Sequence, residues 1–268
     1  MKLTYADTNQ NSSRGINYLD KSIDFDIVAD IYDDYVNTDF DIEFYKEVCK
    51  GYVNVLELMC GTGRISIPLV RMGINLTCVD YSQGMLNMFR KKLLPTDVVN
   101  VIYQDVINLD LGQRFDLAFI PFNSIAEIIN KDKRKQALQR IFEHLSSNGV
   151  FLCTLYNPAY RIKLADGNIK NIGSFAVNDH NTLVVSYYNN YSLEDKTIFG
   201  TQYYEVYGQD GKMLEKRALD IRFSVISKDE ILEMCGEIGF SLKEIYGDYQ
   251  FSPFTDTSMF MNCIFNKP

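Results

Sequence analysis

Soft metal ligands are scarce in this 268-residue chain: it has two histidines, and its six cysteines (Cys49, Cys60, Cys78, Cys153, Cys235, Cys263) stand singly, with no C-x-x-C pair. That spacing excludes a zinc site built from four clustered ligands, and the mostly apolar neighbours mark the cysteines as buried free thiols. Long apolar runs are missing as well, since no stretch approaches the roughly 18 consecutive residues of a membrane-spanning helix. The opening MKLTYADTNQNSS lacks the apolar segment of a signal peptide, so the expectation is a cytoplasmic protein with no membrane attachment. There is no basic stripe, which removes the electrostatic footprint of a nucleic-acid partner.

Acidic charge is plentiful, and it is concentrated. The formal net charge is −8, and residues 1–45 alone carry −7 of it, ten acidic side chains against Lys2, Arg14 and Lys21. Such a run is either a solvated helix face or part of a site for a cation. With 46% hydrophobic residues the chain can bury one large core, or a core plus a small lobe.

Strand and helix patterns alternate through the middle of the chain. VNVLEL (53–58), NLTCVD (75–80), VVNVIYQD (98–105), FDLAFIP (115–121) and GVFLCTLY (149–156) read as strands. Helices are expected over 63–72, 82–93 and about 132–146, the last with Leu138, Ile141, Phe142 and Leu145 on one stripe. This alternation predicts an α/β fold with a doubly wound, Rossmann-like parallel sheet. Residues 172–226 then break the rhythm with β-rich runs separated by SLEDK and GQDGK, which reads as an antiparallel insertion. SKDEILEMCGEIGF follows as a helix with a Ser227/Glu230 capping box and a Gly239 stop, and two closing strands can pair as an antiparallel hairpin.

The chemistry centres on VLELMCGTGRIS, residues 55–66. A strand entering a helix through Gly61 and Gly63 brings backbone and a helix N-terminus close to a ligand at the carboxyl ends of the strands. That loop alone fits nicotinamide or another nucleotide-like cofactor equally, although Ser66 stands where a third glycine would complete the dinucleotide pattern. His144, beside the apolar stripe, reads as a surface residue and His180 as a turn residue.

Taken together, VLELMCGTGR, the acidic end of the second strand in CVDYSQGML, YQDVINLDL, FDLAFIPFNSI and the capped helix with its hairpin resemble the class I S-adenosylmethionine-dependent methyltransferases over 53–156 and 227–268. Within that superfamily the pattern is most similar to small-molecule enzymes, especially amine and sugar-amine methyltransferases with a β-rich insertion over the active site. The resemblance implies an N-terminal helical lid (1–50), a cofactor domain (51–157 and 227–268) and an insertion (158–226). It implies S-adenosylmethionine as cofactor, held by the loop Met59, Cys60, Gly61, Thr62 and Gly63 and organised by Glu57. Arg64 would meet the cofactor's carboxylate, Asp80 the ribose hydroxyls, and Asp105 with the Val106 N–H the adenine edge between Tyr81 and Met85. Pro121 and Phe122 would complete that side, and Tyr32 would close over it. Met59 departs from the family's Gly or Ala and is expected to crowd the methionine end.

On the acceptor side the resemblance points to Tyr35, Asn123, Tyr156 and Asn157, with Arg222 of the insertion as a polar contact. No catalytic residue is assigned, because in-line methyl transfer needs mainly alignment. With no base evident after the fourth strand, an amine acceptor is favoured over an alcohol. A nicotinamide-dependent oxidoreductase and a non-catalytic cofactor-binding protein are the alternatives. Six tyrosines between 182 and 207 alternate faces, roofing the acceptor site on one side and offering a homodimer surface on the other.

Overall fold

The computed structural model describes residues 22–177 and 180–268, so the first 21 residues of the expected lid lie outside it. Five parallel strands form the centre: β1 (Asn54–Leu58), β2 (Asn75–Asp80), β3 (Val99–Tyr103), β4 (Phe115–Ile120) and β5 (Leu145–Tyr156). β10 (Ser241–Tyr246) and β11 (Phe260–Asn266) complete a seven-stranded sheet of order β10-β11-β5-β4-β1-β2-β3, in which β11 is antiparallel to β5. The expected parallel sheet with a terminal hairpin is present.

Period dictates these elements. β4 and β11 are buried along nearly their whole length, as strands covered on both faces must be. The helix α5 (Lys131–His144) turns Leu138 and Ile141, both with no exposed surface, onto the sheet. It starts where the Asn130 side chain caps Asp132 and Lys133. The remaining helices of this half are α2 (Ile42–Cys49), α3 (Ser66–Arg71), α4 (Gln83–Lys92) and α7 (Lys228–Ile238). α7 begins with the Ser227 hydroxyl accepting from the Glu230 N–H and stops at Gly239, φ 114°. The Glu230 carboxylate turns instead to Arg134, 3.3 Å away, so one arm of the expected capping box is absent. α3 starts later than the sequence suggests because residues 59–65 are needed for the ligand loop.

The insertion is a separate antiparallel sheet of β6 (Lys170–Val177), β7 (Asn181–Ser192), β8 (Thr197–Tyr207) and β9 (Met213–Ser224). The short helix α6 (Pro158–Lys163) leads into it from β5. β6 escaped the sequence reading: its segment carries Asn171 and Gly173, where the pairing with β7 slips. The inner face of this sheet packs on the N-terminal segment: Val177, Leu183, Val185, Tyr204, Leu219 and Ile221 enclose Ile23, Val28 and Ile31 in one cluster. Residues 22–38, with the short helix α1 (Tyr32–Tyr35), are therefore a strap between the two sheets. Tyr188 and Tyr203 stack on the outer face at 6.4 Å, which bears out the alternation of the tyrosines.

All six cysteines are buried and free. His144 is a correction to the sequence reading. It is buried, its Nε2 accepts from the Leu111 N–H at 3.0 Å and its Nδ1 lies 2.7 Å from the Arg140 carbonyl, so it ties a loop to the end of α5.

Candidate active site

β1 delivers the chain to a loop whose two glycines have different duties. Gly63, φ 78°, leaves no room for a side chain, since a Cβ would fall 2.4 Å from the Phe89 ring of α4. Gly61, φ 56°, faces open space, with nothing within 4 Å of where a Cβ would sit. One glycine lets the helix pack and the other leaves backbone bare toward a cavity. Below the loop, Glu57 is fully buried and accepts from Ser66 Oγ at 2.6 Å, and burial pushes its carboxyl up to about 8.

Asp80, at the end of β2, accepts from the Gly61 N–H with one oxygen and from the Ser82 N–H with the other, each at 2.8 Å. Each carboxylate oxygen keeps a lone pair, and the group lines the cavity. Burial raises its pKa although the amide donors oppose it.

The cavity, about 450 Å³, runs from Gly61, Asp80, Tyr81 and Met85 to the insertion. A side chamber of about 120 Å³ carries Asp105 and Val106 and shares Met59, Tyr81 and Glu127 with the main cavity. Asp105 accepts only from the Ile107 N–H, at 2.9 Å, so its second oxygen has no partner among the described residues. Met59 adopts φ 57°, a left-handed backbone natural to the glycine it replaces, and its side chain stands at the junction of the two chambers. Phe122 (φ 58°) and Asn123 (φ 66°) are left-handed as well, and a run of strained non-glycine residues at the strand ends is characteristic of ligand-binding turns. Asn123 Oδ1 accepts from the Tyr156 N–H at 3.1 Å, which links the ends of β4 and β5.

The acidic N-terminal run builds the front wall by specific ties. Asp33 accepts from Thr62 Oγ1 at 2.5 Å and from Lys92 Nζ at 2.6 Å. Asp26 accepts from Ser82 Oγ at 2.5 Å and the Gly84 N–H at 2.8 Å, and Tyr81 donates to the Ile23 carbonyl at 2.7 Å. On the far side Asp30 pairs with Arg217 of β9, and the Tyr35 and Tyr204 hydroxyls meet at 2.9 Å. Tyr32 and Tyr35 both line the cavity, their rings 5.4 Å apart.

Several expected site residues stand apart from the cavity. Arg64 is spent on a bidentate pair with fully buried Asp41, at 2.6 and 2.7 Å, and on the Thr38 carbonyl. This anchors the strap, and the guanidinium also lies 5.2 Å from the Phe122 ring centre. Cys60, Thr62 and Pro121 are buried behind the lining. Two acceptor-side expectations need correction. Asn157 caps α6 and donates to the Asp256 and Ser258 carbonyls at 3.0 and 2.8 Å, so it is a structural knot. Arg222 sits on the outer face of β9: strand alternation that turns Ile221 and Phe223 into the cavity turns Arg222 away.

The cavity also holds groups absent from the sequence reading. Glu127, in the turn after β4 (Ser124–Glu127), makes no hydrogen bond among the described residues, and burial lifts its carboxyl to about 8. Arg161 of α6 is the arginine that does line the cavity, with Tyr160, Tyr187, Asn189 and Gln202. The Asn157-Pro158 helix start at the carboxyl end of β5 was the available signal for Tyr160 and Arg161, because a capped first turn there projects its side chains over the strand ends. Glu127 had a weaker signal, a lone carboxylate in the apolar run SIAEII.

Comparison with known proteins agrees with this geometry. Residues 55–149 match the model of a family described as a methyltransferase domain. A Geobacillus sp. (strain WCH70) protein that carries the name methyltransferase is 25% identical over 210 residues, 78% of this chain and 82% of that protein. The glycine/sarcosine N-methyltransferase of Aphanothece halophytica is 21% identical over 78% of this chain and 74% of its own length. Among solved structures, the CcbJ methyltransferase of Streptomyces caelestis has a TM-score of 0.73 at 24% identity, covering 90% of this chain and 96% of that one. The sugar N-methyltransferase KedS8 of Streptoalloteichus sp. has a TM-score of 0.71 at 17% identity and 98% coverage of both chains. Fold and site together define a methyltransferase. Residues 55–149 carry the methyltransferase domain, the chain has the fold of the class I S-adenosylmethionine-dependent methyltransferases, and the cofactor is S-adenosylmethionine.

The residues present fit that cofactor. Bare backbone at Gly61, two carboxylates with unused lone pairs at Asp80 and Asp105, and connected chambers of adequate volume provide for a ribose and an adenine edge. Among the described residues, no helix is long and apolar enough to cross a membrane.

Proposed function

We propose that this enzyme methylates the amine nitrogen of a small molecule. The observation that carries the reading is Glu127, a carboxyl without a partner among the described residues, inside a cavity walled by Tyr32, Tyr35, Tyr156, Tyr160, Tyr187 and Phe223. S-adenosylmethionine, when bound, supplies an electrophilic methyl on a positively charged sulfonium. Asp80 and the Gly61 loop hold its ribose side, and Asp105, Val106, Tyr81 and Met85 hold its adenine side. Asn123 stands at the end of β4 between the two halves of the cavity.

An amine arrives in water as an ammonium ion, which cannot act as a nucleophile until it gives up a proton. Glu127 titrates near 8, so its carboxylate form is available close to neutrality to accept that proton. Aromatic faces stabilise the cationic amine on both sides of the transfer, and the remaining acceleration comes from alignment. The similarity to relatives named as glycine/sarcosine and sugar N-methyltransferases supports the same choice.

The reading includes the division of labour among segments: residues 22–50 as a lid over the cofactor, 51–157 with 227–268 as the cofactor domain, and 158–226 as the roof of the acceptor end. The test is turnover of a panel of primary and secondary small-molecule amines, followed by mass spectrometry of the product. An N-methyl product is expected. Methylation confined to hydroxyl-bearing, amine-free acceptors would overturn the reading.

A further inference from the structure

Arg161 poses a question of charge balance. Its guanidinium lies 5.2 Å from the Tyr156 ring centre and 5.4 Å from that of Phe223, held between two aromatic faces at the wall of the cavity. Its Nε is sealed from solvent and has no hydrogen-bond partner, and no carboxylate pairs with it among the described residues. Of the other arginines nearby, Arg64 is satisfied by Asp41, Arg217 by Asp30 and Glu215, and Arg134 by Glu230 and three further acceptors, while Arg222, whose Nε is also sealed without a partner, faces away from the cavity. A guanidinium is always charged and carries five donors in a planar fork, and here the Nε–H is sealed without an acceptor while the half-buried terminal amino groups have no counter-ion among the described residues, so a ligand anion in the cavity would complete the fork.

The neighbouring groups agree. Arg161 shares its end of the cavity with Tyr160, Leu164, Tyr187 and Asn189, and the groups that act on its charge are the three tyrosines 156, 160 and 187. Burial lowers its pKa. The cavity's carboxylates, Asp80 and Glu127, are not among those groups, so the cavity is acidic toward the cofactor and cationic toward the roof. Asn189, in the same lining, has a buried Oδ1 that also lacks a partner.

We infer that the acceptor is an amine that also carries an oxyanion, a carboxylate or a phosphoryl group, which docks on the Arg161 fork while the amine points toward Glu127 and the cofactor. The inference rests on the amine reading above and adds a substrate class to it: an amino acid or an amino-sugar phosphate fits, and a simple amine does not. The aromatic pair fixes the plane of the guanidinium, so the fork is preorganised for bidentate contact.

The experiment uses the full chain loaded with S-adenosylhomocysteine and follows the Arg161 Nε–H resonance by ¹⁵N NMR, assigned by its loss in Arg161→Lys. Acetate and inorganic phosphate are titrated at constant ionic strength, with chloride as the control. One of the two oxyanions is expected to shift the resonance saturably, with a dissociation constant on the order of 10 mM as befits a fragment of a few atoms. Acetate as the effective probe identifies a carboxylate and phosphate identifies a phosphoryl group. Absence of a saturable shift with both, in protein that still binds S-adenosylhomocysteine, would overturn the inference.

Turnover separates this result from the parent reading. Phenylalanine against phenethylamine and galactosamine 1-phosphate against galactosamine are pairs that differ in the anionic group. The oxyanion-bearing member of at least one pair is expected to have a kcat/KM at least tenfold higher, falling to parity in Arg161→Met. Preference for the members without the anionic group would overturn the inference and leave amine methylation intact, whereas saturable anion binding with methylation only of oxygen would do the reverse.

Discussion

The two ends of the cavity are built in different ways. The end proposed for the cofactor is made by residues close together in sequence, Met59 with Gly61, Asp80 with Tyr81 and Met85, and Asp105 with Val106, each following a parallel strand. The acceptor end is assembled from parts far apart: Tyr35 meets Tyr204 across 169 positions, and Asp30 meets Arg217 across 187. A parallel sheet fixes the first kind of site by topology alone. The second kind exists only after the strap and the insertion have packed on each other around Ile23, Val28 and Ile31. On the proposed reading, cofactor binding is a property of the common fold and acceptor choice a property of this chain.

Variants that damage one end and spare the other will sharpen that contrast. The largest effect is expected from Glu127→Gln, which keeps the shape and removes the base. A general base is typically worth roughly 10² to 10⁴ in rate, so kcat/KM should fall within that span while S-adenosylhomocysteine affinity stays near wild type. In the wild type kcat/KM should rise with pH and level off above about 8, as Glu127 loses its proton, and the Gln variant should lack this limb. The same proton is linked to folding. The carboxyl is held at about 8 in the fold against an ordinary 4.5, so its contribution to stability is complete below 4.5 and is lost as pH rises through 8.

Asp80→Ala attacks the other end. It removes a carboxylate placed for the ribose and frees the Gly61 N–H, and the loss in cofactor affinity should be roughly 1.5–3 kcal/mol, the worth of a charge-assisted hydrogen bond. Unchanged affinity in calorimetry would place the ribose elsewhere.

A smaller effect is expected from Tyr35→Phe, which cuts the hydroxyl contact between strap and roof. Stability should drop by about 1 kcal/mol, and the acceptor KM should rise a few-fold without a change in cofactor affinity. An equal loss at both ends would show that the strap couples them. Met59→Gly is the mildest change. Relief of a left-handed backbone, worth about 1 kcal/mol, is nearly offset by the added chain entropy of glycine. Cofactor affinity should be unchanged or higher, and a measured decrease would make the Met59 side chain a contact rather than an obstruction.

The contrast between the two ends also explains what the amino-acid order reveals. The α/β sheet, its closing hairpin and three of the four insertion strands are legible because they announce themselves by local period and caps, whereas β6 is interrupted at Asn171 and Gly173. The cofactor loop is legible for the same reason. Arg222 is an expected acceptor contact, but it alternates with Ile221 and Phe223, which line the cavity, and so faces outward. Asn157 was read as a contact because it ends β5, whereas its amide is consumed by the carbonyls of residues 256 and 258, a partnership 99 to 101 positions away. Glu127 and Arg161 carry no motif: what distinguishes them is the lack of a partner among the described residues, and that is a property of the packed molecule.

The most direct test is thermal melting of the full chain with S-adenosylhomocysteine and, separately, with NAD. Ligand at 100 times its dissociation constant adds about 2.7 kcal/mol to stability, which for a chain of this size raises Tm by several degrees. The cofactor end described here predicts that rise with S-adenosylhomocysteine and none with NAD. A rise with NAD, or no rise with S-adenosylhomocysteine at millimolar concentration, would contradict it.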